Sequence, residues 1–264
     1  MRIPVFQVDA FTQEPFAGNP AAVCPLNGWL DEPMLRKVAA ENNLSATAFF
    51  VPRADQYELR WFTPHCEVRL CGHATLASAY VVLNILQPGL NTVRFETVLG
   101  GVLTVCRSGD IFSMNFPAMF AKACAKRPDE LVRALGAAPL PSELLEVNDT
   151  YVAVYETETA IRNVRPDFAR LKRLHPFAVA LTAPGNEGDF VSRYFAPSYG
   201  VPEDPVTGSV HCALTPYWTS RLGKRQLHAR QVSDRGGEIW CEMAGERVLL
   251  QGGAVLVLEG SLLI

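Results

Sequence analysis

Two stretches of the chain place residues able to hold an anion and move a proton beside what reads as the start of a helix. Residues 62–80 run F-T-P-H-C-E-V-R-L-C-G-H-A-T-L-A-S-A-Y, and residues 195–214 run F-A-P-S-Y-G-V-P-E-D-P-V-T-G-S-V-H-C-A-L. Phe62, Pro64 and Gly72 of the first reappear as Phe195, Pro197 and Gly208 of the second, so the chain reads as a duplication. In each copy an aromatic strand meets an X-Pro pair, which favours extended geometry. A loop then leads to a glycine, small residues and an apolar run of helical period. The first turn of a helix leaves backbone N–H groups unpaired at the positive end of its dipole, which favours an anion. If the two halves face each other across a cleft, both helix starts converge on one small carboxylated ligand. The alternative is that glycine followed by small residues merely packs a strand-to-helix turn.

Individual side chains carry the same double reading. His73 offers a backbone N–H to an anion and a ring to proton transfer, or caps its own helix. Cys71, just before the glycine, sits where a helix N-terminus favours thiolate, or is a small buried hydrophobe. Asp204, four residues before Gly208, projects toward the same cleft or forms a turn before Pro205. Glu203 reads as solvated. His65, Cys66, Cys71 and His73 have no second close Cys/His pair to complete a structural zinc site, so no metal is expected. Neither Gly-x-Gly-x-x-Gly nor a Walker-type loop occurs, which leaves no argument for a nucleotide.

Those residues need a scaffold. A chain of 264 residues suits two lobes, placed at 1–117 and 118–264, with the last strand returning to the first. Apolar residues at 48% and charged residues at 19% describe an ordinary globular chain, and a formal charge of −3 without a basic patch argues against nucleic acid. The odd, scattered set of seven cysteines, and a start without a secretory apolar core, suggest a reduced, cytoplasmic chain. The longest apolar run, 74–86, is interrupted by Ser78 and Asn84 and falls short of the ~20 residues a bilayer needs, so no membrane span is expected.

Strands are expected at 5–11, 21–24, within 44–51 where a small-residue turn feeds an apolar strand, at 59–62, 92–96, 103–107, 111–115, 151–154, 177–181, 190–195, around Val232, and at 238–242, 248–251 and 255–258. Helices are expected from Asp31 to about Asn43, from Gly72 to about Leu86, over 129–135, over 164–174 and over 209–222, where Pro216 should kink the last. Gly18 and Asn19 read as left-handed turn residues. The pairs at 100–101 and 109–110 read as hairpin turns, and residues 117–126 as a boundary. The class is α+β: two pseudo-symmetric lobes, each a curled, mainly antiparallel or mixed sheet around a central helix.

The segments Asp9-Ala-Phe-Thr, Phe16-Ala-Gly-Asn-Pro-Ala-Ala-Val, Asn43-Leu-Ser, Arg60-Trp-Phe-Thr-Pro, Leu70-Cys-Gly-His-Ala-Thr-Leu-Ala-Ser-Ala and Glu203-Asp-Pro-Val-Thr-Gly-Ser closely resemble the PhzF-like isomerase family of phenazine biosynthesis, over nearly the whole chain. The resemblance implies a diaminopimelate epimerase-type fold, usually a homodimer, and proton transfer on a small carboxylic acid without metal or organic cofactor. It also implies substrate binding at Gly72, His73, Gly208 and Ser209, with Asp204 assisting. One position departs from the family. Its proton-shuttling glutamate stands in Asn-Leu-Ser-Glu-Thr, and this chain reads Asn43-Leu44-Ser45-Ala46-Thr47. A positioned acid or base contributes about 10²- to 10⁴-fold in rate, so the missing carboxylate opens a second reading, a silent small-acid binder.

Overall fold

The computed structural model describes residues 1–98, 101–136 and 139–264. Gly100, half of one expected turn, lies outside them. The chain forms two compact units, Met1–Asn115 with Leu250–Ile264, and Phe116–Leu249.

In chain order the first unit contains β1 (Arg2–Ala10), β2 (Asn19–Pro25), α1 (Glu32–Asn42), β3 (Ala46–Arg53), β4 (Gln56–Phe62), β5 (Glu67–Val68) and α2 (Gly72–Tyr80). A π-helical turn (Val81–Leu86), β6 (Thr92–Thr97), β7 (Gly101–Ser108) and β8 (Ile111–Pro117) follow. Next come β9 (Lys122–Ala123), α3 (Asp129–Leu135), β10 (Glu143–Val147), β11 (Thr150–Val154), α4 (Glu158–Asn163), α5 (Phe168–Lys172), β12 (Ala178–Pro184) and β13 (Phe190–Phe195). A 3₁₀ turn (Pro197–Tyr199), α6 (Gly208–Leu222), β14 (Gln226–Gln231), β15 (Gly237–Ala244) and β16 (Arg247–Gly252) complete this run. Last is β17 (Ala254–Leu263), which pairs antiparallel with β1. Of these helices none is long and apolar enough to cross a membrane.

The duplication is visible in strand pairing. In the first unit β1–β2 is antiparallel, β2–β3 parallel, β3–β4 antiparallel, β4–β6 parallel and β6–β7 antiparallel. The second unit repeats that alternation through β10–β11, β11–β12, β12–β13, β13–β14 and β14–β15. In both, a helix that opens on a glycine follows the fourth strand of the series: α2 after β4, α6 after β13. Almost every side chain of α2 is buried, and the helix touches β1, β2, β3 and β17. It is therefore the central helix of its sheet, apolar all round rather than on one stripe. β3 shows the consequence. It is covered on both faces, so Ala46–Val51 is buried without alternation, Thr47 its one polar member, with Phe49 and Val51 in a cluster with Leu35, Val38 and Ala39 of α1.

Local chemistry explains most boundaries. Asp31 accepts from the backbone N–H of Met34 at 2.8 Å, Pro33 sits in the first turn, and Asn43 ends α1 in the left-handed region with φ 48°. The helix expected to continue to Leu86 instead widens after Tyr80, and the N–H of Gln87 bonds the carbonyl of Val82, an i to i+5 step, at 2.7 Å. Arg107 donates to the carbonyl of Leu83 at 2.7 Å and to that of Leu90 at 3.2 Å, satisfying the end of that turn. The helix expected over 164–174 shrinks to α5, Phe168–Lys172, because Arg165 precedes a proline and residues 164–167 are non-helical, and α4, Glu158–Asn163, was not expected. Asp167 then caps α5 by accepting from Arg170 N–H. Inside α6, Pro216 leaves the carbonyl of Cys212 without its helical donor, and the backbone N–H of Met119 fills it at 2.9 Å. In the early loop Gly18 is left-handed, φ 63°, but Asn19 opens β2 and Phe16 takes the second positive φ, 70°. β10 and β14 carry no strong sequence signal, and Val232 lies just beyond β14.

Candidate active site

The site is built around the start of α2. Cys71 takes the N-cap position with extended backbone, φ −140°, and no side chain caps the helix. The donors of the first turn therefore have no side-chain acceptor. His73, only 6% exposed, points its ring into a polar network with residues from two other segments. Asn19 Nδ2 lies 3.3 Å from His73 Nδ1, and Ser45 Oγ lies 3.2 Å from His73 Nε2. Ser45 Oγ also lies 2.6 Å from Asn19 Oδ1 and 2.9 Å from the carbonyl of Pro20. One proton arrangement serves both ring nitrogens. Asn19 donates to Nδ1, Nε2–H donates to Ser45, and the Ser45 hydroxyl donates onward to Asn19 or Pro20. Cys71 Sγ completes the cluster at 3.5 Å from Nδ1 and 3.8 Å from Nε2.

Burial pushes the His73 imidazole down from its ordinary 6.5 to about 3, so the ring is neutral at physiological pH. Ala46 follows Ser45 and is the first residue of β3, 1% exposed, paired with Ala21 of β2. A buried methyl thus stands one residue from the hydroxyl that contacts His73.

The second unit has its own helix start. Thr207 is the N-cap of α6, again without a side-chain cap for the helix. Its hydroxyl donates to Asp204 Oδ2 at 2.6 Å, and its N–H donates to Gln231 Oε1 at 2.9 Å. Gln231 Nε2 in turn donates to the Asp204 carbonyl at 2.7 Å. Asp204 and Gly208 are thereby fixed in one small loop, with Ser209 half-buried on the first helical turn. His211, one turn in, is wholly buried. Its Nδ1 donates to the carbonyl of Thr207 at 2.7 Å, and Ser192 Oγ lies 3.4 Å from Nε2. Burial lowers this imidazole to about 4, against the opposing pull of the backbone hydrogen bond. Glu203 is not a solvated neighbour: it receives both the Nε and Nη2 donors of buried Arg193 at 2.8 Å.

Asn19, Ser45, Gln231 and His211 are the site residues that motif reading missed. The signal for the first two was present: a polar residue on each side of the Pro20–Ala21 and Ala46–Thr47 strand starts, which pair side by side in the parallel β2–β3 ladder. Among the described residues no group of three or more His, Cys, Asp or Glu side chains is placed to hold a metal. Neither Cys66 nor Cys71 is in a disulfide.

The architecture is the α+β fold of the diaminopimelate epimerase type, shared at fold level with a probable proline racemase of Agrobacterium radiobacter (TM-score 0.70, 12% identity, 99% of this chain and 93% of that one). Within that fold, residues 8–260 match the model of the phenazine biosynthesis-like protein family, PhzC-PhzF, and the chain belongs to that family. It is 51% identical over 262 residues, 99% of each chain, to an uncharacterized isomerase of Pseudomonas aeruginosa. A PhzF family crystal structure from Enterococcus faecalis superposes with TM-score 0.93 at 40% identity, over 100% of both chains.

Proposed function

We propose that this chain is an isomerase that moves a proton on a small carboxylic acid, without metal or organic cofactor. The observation that carries the reading is the neutral, buried His73 at the uncapped start of α2, held in one tautomer by Asn19 and Ser45. Backbone N–H groups of Gly72 and His73 hold the carboxylate, where the helix dipole stabilises it. An anion bound there also favours the imidazolium, raising the His73 pKa from about 3 toward the range where proton exchange is fast. The ligand therefore switches on the base it needs. Gly208 and Ser209 form the second anion-holding end, with Asp204 sharing the proton traffic and Cys71 as a further proton carrier beside His73. We carry the homodimer and the cytoplasmic location as part of the same reading.

A second reading is favoured by one residue. Ala46 has no titratable group where the family resemblance implies a glutamate, so the cleft of a former enzyme would bind a small acid without turning it over. One experiment separates the two. A panel of hydroxy, amino and dihydroaromatic acids is incubated with the chain and with Ala46→Glu in deuterium oxide, and exchange at ligand carbons is followed by NMR. The isomerase reading expects exchange that rises about 10²- to 10⁴-fold with the glutamate. Binding without exchange by either form leaves the binder, and a glutamate that changes nothing on any acid removes position 46 from the proton path.

A further inference from the structure

The structure assigns Asp204 to the proton-accepting side of the reaction, with Thr207 and Gln231 as the positioning residues that keep its carboxylate ionised and oriented. This deepens the isomerase reading and rests on it for what the carboxylate does, but not for how the carboxylate is held. The direction of each hydrogen bond in the loop before α6 follows from two backbone groups that have no choice. Thr207 N–H can only donate, so the Gln231 atom that meets it at 2.9 Å is Oε1. The Asp204 carbonyl can only accept, so the Gln231 atom that meets it at 2.7 Å is Nε2. The side-chain amide is thereby oriented from both ends. Gln231 is 1% exposed, so water does not compete for it.

Nε2 also lies 3.3 Å from Thr207 Oγ1, where it can only donate. With a lone pair of the hydroxyl occupied, its one hydrogen points to Asp204 Oδ2, 2.6 Å away. Oδ2 is therefore an acceptor, and a hydrogen bond to the charged form of a carboxyl favours that form. The backbone around the hydroxyl is pinned as well. His211 Nδ1 donates to the Thr207 carbonyl at 2.7 Å, Asp204 N–H donates to that of Tyr194 at 2.9 Å, and Ser233 Oγ donates to that of Pro205 at 2.8 Å. Gln231 stands opposite Ser192 in the parallel β13–β14 pair, and Ser192 is the residue that meets Nε2 of His211. Two paired positions of the sheet thus hold the two sides of one threonine, its N–H directly and its carbonyl through His211. Of the titratable groups nearby, Glu203 has its charge matched by Arg193, and Tyr194, pushed up to about 12 chiefly by burial, stays a neutral phenol. In the isomerase reading Asp204 then takes a proton before it can return one: a C–H bond of the ligand breaks, the proton joins the carboxylate and the electron pair stays on the ligand.

The test is a ¹³C NMR titration of the Asp204 carboxyl in the full chain with no ligand present. Thr207→Val, which keeps the shape and removes the hydroxyl, should raise the Asp204 midpoint by about one pH unit, a tenfold gain in proton affinity. Thr207→Ser returns the hydroxyl and should bring the midpoint back, which a packing role alone would not do. Gln231→Met, which lets the hydroxyl turn, should move the midpoint in the same direction as the valine. Should Thr207→Val not fold, the wild-type hydroxyl proton decides: it should resist exchange with water while Asp204 is ionised and exchange freely once Asp204 is protonated. A midpoint that the valine leaves in place, a serine that does not restore it, or a hydroxyl proton indifferent to the Asp204 titration overturns the proposal. Such a result leaves the isomerase reading standing, whereas a chain that exchanges no acid removes that reading and leaves the hydrogen-bond relay intact.

Discussion

The two buried imidazoles make stability depend on pH in a window where carboxylates contribute little. His73 titrates at about 3 and His211 at about 4 in the folded chain, against an ordinary value of 6.5. The unfolded chain therefore binds more protons than the native one between those limits. Stability is full above pH 6.5, falls as pH drops, and stops falling below the folded values. For one such histidine the loss between pH 8 and pH 5.5 is about 1.4 kcal/mol, from the ratio of proton-binding polynomials in the two states. The two together lose ~3 kcal/mol. Glutamates with depressed values, such as Glu58 tied to Arg53 and Trp29, lose stability in the same direction but only nearer their ordinary 4.5. Urea unfolding at pH 8, 6.5 and 5.5 measures the slope, and His73→Asn tests its origin. That variant is less stable at pH 8 by about 1–3 kcal/mol, because Ser45 and Asn19 lose their partner. Its further drop to pH 5.5 should be smaller than that of the wild type by ~1.4 kcal/mol. If the two units unfold separately, each transition carries one histidine's share. Parallel pH curves for wild type and variant, or a His73 ring that titrates near 6.5 by NMR, would show that this buried ring is not a source of the pH dependence.

Two further perturbations test how each site is held. Arg193→Met takes both donors from the Glu203 carboxylate and the shorter of two donors from each of the carbonyls of Ile161 and Val164, which keep only Val164 N–H at 3.3 Å and Arg165 Nη1 at 3.2 Å, and should cost about 3–5 kcal/mol in urea unfolding. A loss below 1 kcal/mol would show that this buried cation is not what ties α4 to β13. Gly18→Ala adds a Cβ at φ 63° and 2.3 Å from the carbonyl oxygen of Ala10, a backbone atom that cannot swing away. The expected loss is about 2–4 kcal/mol, with the His73 resonances perturbed because Asn19 is the next residue. Unchanged His73 shifts would place the loop's role outside the site.

What was legible in the sequence follows from how local each cause is. Asp31, Pro33 and Asn43 act within a few residues, so α1 could be read almost to its ends, and β13 and α3 likewise needed only their own composition and a bounding glycine or proline. β10 could not be read. Its sequence E-L-L-E-V has a burial pattern without clear alternation, and it is a strand because β11 on one side and β9 on the other complete its ladder. The same limit applies to the site. Gly72, His73 and Cys71 announce themselves as a helix start, but what gives His73 its state is Asn19, 54 residues away, and Ser45, 28 residues away. Those residues meet because β2 and β3 pair in parallel with Ala21 opposite Ala46, a register that spans 25 residues of sequence and is not written in either strand alone.

That register also bears on Ala46. A glutamate introduced there begins from a Cβ that is almost completely buried, beside a hydroxyl already committed to Asn19, Pro20 and His73. Desolvation would raise its pKa, and a protonated His73 is the cation at hand to oppose that rise. A carboxylate at position 46 and the imidazole at 73 would then titrate as a coupled pair rather than as two independent groups. In Ala46→Glu the His73 pKa should therefore rise above its value of about 3, and the rise should be visible by NMR with no ligand present. A His73 titration identical in the two forms would mean that the side chain at 46 turns away from the ring, and that the family's glutamate and this histidine never shared a proton in this framework.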